Sequence, residues 1–169
     1  MLMKNKGNKW HYVWQPALAF LFIWGVLVIM RHASQEPILS AIGVAALASS
    51  SLLVFARPFS QACTPGCIIG GYAIGLFCGI LCRFIALVVI AKHYPDSAVY
   101  AVELFGALSV GISIVLMASL KMLHPPAAGM SEGLAVLPWD IDTIIVICIA
   151  ITVLVLLRRI LSRAIQPLG

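Results

Sequence analysis

The chain has 169 residues, 62% of them hydrophobic and 10% charged, against about 25% charged in a typical soluble domain. That composition excludes a soluble globular protein and implies a lipid bilayer as the first partner. The net charge of +5 does not indicate nucleic acid, because Lys4, Lys6 and Lys9 precede the first apolar run and Arg158, Arg159 and Arg163 follow the last. No basic stripe lies elsewhere, and charges so placed anchor helices at the membrane interface.

In chain order, a basic segment (1–14) opens the sequence. The first apolar run, Gln15–Met30, has a signal-like start, but its exit Met30-Arg31-His32-Ala33-Ser34 lacks a small-x-small cleavage pattern. It is expected to stay in the protein. Further runs are Ile38–Ala56, Ile68–Ala91, Ala98–Leu123 and Ile141–Leu157, near the ~17–25 residues that cross about 30 Å of hydrocarbon. The predicted fold is all-α and integral to the membrane, with a transmembrane domain over 15–157 and a basic tail over 158–169.

Between the last two runs lies Ala127–Leu137, which as a helix would rise only about 16 Å. That length predicts five transmembrane helices plus a short re-entrant or interfacial helix. Five spans put the two ends of the chain on opposite faces. Lys4, Lys6, Lys9, Arg57 and Lys121 then share one face, and Arg31, Lys92, Arg158, Arg159 and Arg163 the other. The count ties, so the positive-inside rule assigns no orientation.

Small residues crowd three runs. Gly71, Gly75 and Gly79, with Gly70 adjacent, form a stripe at four-residue spacing that admits a neighbouring backbone. It fits either internal packing or a homo-oligomeric interface. Ser49, Ser50, Ser51, Ser109 and Ser113 fit either a polar pathway or hydroxyls bonded back to their own helices. Arg83 and Glu103 fall in the same half of adjacent antiparallel spans, which predicts an intramembrane ion pair.

Two loops carry the candidate site. In Arg57–Cys67, Thr64 before Pro65 reads as an N-cap followed by proline at the first helical position. In the second loop, Pro125 forces His124 into extended backbone and ends the fourth helix, and a short helix follows the prolines. Helix starts bind anions through free N–H groups. Arg57, Thr64, Gly70, Gly71, Ser50, His124, Pro125, Pro126, Gly129 and Ser131 are therefore the expected substrate-binding residues. The alternative is two ordinary helix-ending turns.

Cys63, Cys67, Cys78, Cys82 and Cys148 do not make the two ligand pairs of a zinc site, though Cys63 and Cys67 could form a disulfide across a tight turn. No cofactor or metal is expected. An enzyme is not expected either, because His124 and Glu132 have no further base, nucleophile or ligand beside them.

The stretch LHPPAAG (Leu123–Gly129) resembles the name-giving signature of the HPP family of integral membrane proteins. The stretch AALASSSLLVFARPFSQACTPGCIIGGYAIG (Ala45–Gly75) is similar to the family's block ending in Ile-Gly-Gly-His. The likeness runs from about Ile38 to Leu137. Three features depart: Pro65-Gly66-Cys67 stands where the family has Pro-Arg-Asn, leaving Arg57 as the nearby basic group, Tyr72 replaces the histidine, and Glu132 stands where apolar or Thr residues are common. The resemblance implies a transporter or channel for a small inorganic anion, nitrite first; with no long Ser/Arg-rich transit segment, a multi-pass protein of the bacterial cytoplasmic membrane is the default expectation. The competing expectation is a non-transporting subunit or assembly factor packed through its glycine stripe.

Overall fold

The computed structural model describes residues 10–33, 37–93 and 98–168, and Lys4, Lys6 and Lys9 lie outside the described residues. Its elements are α1 (His11–Ala33), α2 (Pro37–Ala56), a 3-10 turn (Gln61–Cys63) and α3 (Pro65–Phe84). A π-helical segment (Ile85–Ala91) continues α3, followed by α4 (Ala98–Ser119), α5 (Pro125–Val136) and α6 (Ile141–Ile160). Helices α1, α3, α4 and α6 are long and apolar enough to cross a membrane, and α2 adds a shorter apolar helix over Ala41–Ala56. Large apolar side chains such as Phe20, Trp24, Phe77 and Leu104 point outward, the arrangement a lipid solvent favours.

Polar clasps fix which helix ends lie together. Buried Gln15, near the start of α1, donates from Nε2 to the carbonyls of Phe55 and Gln166, and its Oε1 accepts from the Gln166 amide at 3.0 Å. The Leu168 amide donates to the Ala56 carbonyl at 2.9 Å. Near the end of α6, Arg158 donates to the Pro58 carbonyl at 2.9 Å. The Cys67 thiol at the start of α3 lies 3.6 Å from the Lys121 carbonyl just past α4. One face, the tail face, thus gathers the start of α1, the end of α2, the start of α3, the end of α4 and the end of α6.

This corrects the expectation that the two ends of the chain lie on opposite faces. They share the tail face because α5 runs from the tail end of the bundle back toward the far end before α6 returns. Its N-cap His124 sits beside Ala62 at the tail face. Its last turn lies toward the opposite, far face: Arg83, in the last turn of α3, donates to the Ala135 carbonyl at 3.5 Å, and Val136 fills the space beside Gly106 of α4. Four residues later Asp140 caps α6, accepting from the Thr143 amide at 2.6 Å.

The short helix is interior rather than interfacial. Ala127, Ala128, Met130, Ser131, Gly133, Leu134 and Ala135 are all buried, against α2, α3 and α4. Twelve residues of helix rise about 18 Å. Extended backbone at Leu137 and Asp140 lets four residues add up to about 13 Å. Together these approach the ~30 Å of a hydrocarbon core. Length alone therefore underestimates the reach of this segment.

The glycine stripe makes the central seat. A Cβ at Gly71 would come within 2.5 Å of the His124 Cβ, and one at Gly79 within 2.5 Å of the Ser131 carbonyl oxygen; at Gly75 it would collide with the Ala127 carbonyl. These pairs rise together along both helices, so α3 and α5 are parallel and in close backbone contact. Between an internal and an intermolecular role, the stripe takes the internal one.

Candidate functional site

The fourth helix ends before the prolines. Lys121 takes a left-handed φ of 57°. The Met122 amide then donates to the Met117 carbonyl at 2.7 Å, and the Lys121 amide to that of Ala118 at 3.1 Å. This is a Schellman ending. As expected, Pro125 leaves His124 extended, at φ −138° and ψ 92°, and that conformation turns its ring inward beneath the 3-10 turn.

His124 is fully buried, as is Ser50, and Tyr72 is 1% exposed. Nδ1 of His124 lies 2.9 Å from the Ala62 carbonyl. A carbonyl only accepts, so Nδ1 carries the ring proton and donates. In the neutral ring Nε2 then accepts from the Ser50 hydroxyl, 2.8 Å away. The Tyr72 hydroxyl, 2.9 Å from Ser50 Oγ, completes the chain as donor. Its ring is tilted 50° against the imidazole, with centroids 5.3 Å apart. The chain joins α2, α3, the 3-10 turn and the N-cap of α5. Its partners are satisfied, as buried polar groups require.

The glycine at 71 permits this corner, since any side chain there would occupy the place of the His124 Cβ. Tyr72 is thus part of the network. In the sequence it shows only as a departure from the resemblance, and an aromatic hydroxyl two turns beyond a helix start is the signal that could have found it.

The two helix starts expected as anion sites hold few free donors. At α3 the Thr64 Oγ1 accepts from the Cys67 amide at 3.3 Å and Pro65 has no N–H. The predicted N-cap is present and uses a donor an anion would need. At α5, residues Pro125 and Pro126 have no N–H, and the Ala127 amide donates to the His124 carbonyl at 3.0 Å. Paired prolines start a helix well but remove the groups that make its start an anion site.

A second polar cluster lies deeper. The Ser131 hydroxyl lies 3.4 Å from those of Ser109 and Ser113 on α4, and all three residues are fully buried. Each hydroxyl also bonds a carbonyl of its own helix, at Ala128, Gly106 and Val110. Ser49 and Ser51 bond back to Ala45 and Ala48. Back-bonding accounts for most of the serines, while Ser50, Ser109 and Ser113 additionally bridge helices.

Along the outer side of α5 runs a groove of about 480 Å³ against α2, touched by Ala46, Ser49, Pro126, Gly129 and Glu132. Arg57 is exposed on the tail face. Glu103 is exposed on α4, while Arg83 reaches the end of α5. All five cysteines are free thiols. Cys63 lies 3.1 Å from the Arg57 carbonyl, which with the Cys67–Lys121 contact gives each thiol of the turn its own backbone partner.

A model of the HPP transmembrane region family matches residues 4–166. The chain is a member of the HPP transmembrane family. The match extends past the quoted motifs to take in α1 and α6. Neither a curated protein nor a solved structure matches the chain. In this HPP protein the signature His-Pro-Pro is the corner where the central helix enters the bundle. Its histidine is braced by three neighbouring segments.

Proposed function

We propose that this HPP protein is a membrane transporter or channel for a small inorganic anion, with nitrite the leading candidate. The supporting observation is the half-length helix α5, buried at the bundle centre with non-helical backbone at both ends. Broken segments at membrane depth are tolerated where protein or a cavity solvates them, and in transporters they form the substrate site. On this reading the chain makes six passes, one of them through α5 and the extended residues after it. The His124–Ser50–Tyr72 chain then holds a closed arrangement. An anion gains a donor there only when the Ser50 hydroxyl swings away from Nε2 of His124, or when that nitrogen takes up a proton.

A second reading draws on the corner's satisfied donors. A dry, fully bonded interior suits a non-transporting bundle that serves as a subunit or assembly factor. Uptake of nitrite, nitrate, chloride and formate into proteoliposomes separates the two. Transport predicts uptake of at least one anion above protein-free vesicles and a change in that uptake for His124→Ala. Background uptake of all four, from protein whose fold is intact by circular dichroism, favours the bundle.

A further inference from the structure

Sharing one face between the two ends redistributes the charge. Among the described residues, the tail face carries Arg57, Lys121, Arg158, Arg159 and Arg163 and no acidic side chain. The far face carries Arg31 and Lys92 together with Asp140 and Asp142, and Glu103 lies in the half of α4 nearer to it. Glu132 lies within α5. Lys4, Lys6 and Lys9 precede α1 in the sequence and lie outside the described residues. A tie under five spans thus becomes a strong asymmetry.

Arg57, Lys121, Arg159 and Arg163 are exposed, whereas Arg158 is half-buried and held on the Pro58 carbonyl. Trp10 and Tyr12, at the start of α1, are 66% and 53% exposed. Indole and phenol rings of this kind settle at headgroup level. Basic side chains grouped beside such rings match the negative surface of a cytoplasmic leaflet, which attracts Lys and Arg and weakens with salt.

We infer that the tail face lies on the cytoplasmic side and binds acidic phospholipid headgroups through Arg57, Lys121, Arg159 and Arg163. The occupant is a lipid rather than a free anion, because these side chains ring the helix ends beside aromatic anchors instead of lining a cavity. The inference needs the paired chain ends and does not depend on transport.

Two measurements on the full chain test it. A membrane-impermeant maleimide is expected to label Ser162→Cys in inverted vesicles only and Lys92→Cys in intact spheroplasts only. Labelling of both from one side, or of Ser162→Cys from outside, overturns the orientation. In detergent, native mass spectrometry is expected to show retained phosphatidylglycerol in preference to phosphatidylcholine. The Arg57→Gln/Arg159→Gln/Arg163→Gln variant is expected to lower that retention at least ~tenfold at low salt, while Arg31→Gln/Lys92→Gln leaves it unchanged. Equal retention of both lipids, an equal loss in the far-face variant, or displacement by millimolar inorganic phosphate overturns the lipid assignment.

Discussion

Gly71 and His124 share one space: a methyl group on the glycine would lie 2.5 Å from the Cβ of the histidine. The imidazole can reach Ser50 and Ala62 only because α3 leaves that room. The position of the central helix therefore depends on a missing side chain as much as on the ring it admits.

Filling the stripe is expected to destabilise the protein. Gly71→Ala and Gly75→Ala place a Cβ against the His124 Cβ and the Ala127 backbone, an overpacking that costs about 1–3 kcal/mol. Gly111→Ala, with nothing within 4 Å of its Cβ, is expected to be neutral or stabilising by up to ~1 kcal/mol through helix propensity. Reversible unfolding in mixed micelles compares them, and equal effects would contradict the packing described.

The His124–Ser50 bond is expected to be coupled energetically. His124→Ala leaves the Ser50 and Ala62 groups buried without their partner and is expected to cost about 2–4 kcal/mol. In a double-mutant cycle with Ser50→Ala the coupling should be at least ~0.5 kcal/mol. Additive losses would mean that the two side chains do not act together.

Lys121 carries its left-handed φ of 57° without being glycine. Lys121→Gly removes a steric cost of roughly 1 kcal/mol and is expected to raise the unfolding midpoint. A lowered midpoint would mean that the lysine side chain contributes more than its strained backbone costs.

The Cys63 thiol lies in the turn before α3 and is fully buried. Burial pushes it up from its ordinary value, and the Ser60 hydroxyl, its partner at 3.7 Å, pulls part of the way back. The folded protein thus holds less thiolate at pH 8 than an unfolded chain. Iodoacetamide followed by peptide mapping is expected to modify Cys63 slowly in the native protein and rapidly in denaturant. Ser60→Ala should slow native modification further. Rapid native labelling would show the turn to be open.

The tail clasp is expected to stabilise the ends of the bundle. Gln15→Leu removes hydrogen bonds to Phe55 and Gln166 and leaves buried backbone groups unpartnered, a loss of about 1–3 kcal/mol. Limited proteolysis after Ile160 should quicken in the variant, and an unchanged rate would contradict the clasp.

By itself the sequence determined the membrane class, the long helices, the Thr64 cap, the extended His124 and the family, because each follows from local composition, spacing or motif. The course of the short helix escaped it. Counting by length assumes continuous helix, whereas α5 runs through the interior among α2, α3 and α4 and is continued by extended residues. The state of the two helix starts escaped it for a related reason, since donors that look free along the chain are occupied or lacking once Thr64, Pro125 and Pro126 are in place. Only the tertiary structure decided that Gln15 meets Gln166, residues far apart in sequence, and that contact brings the start of α1 and the end of α6 to one face.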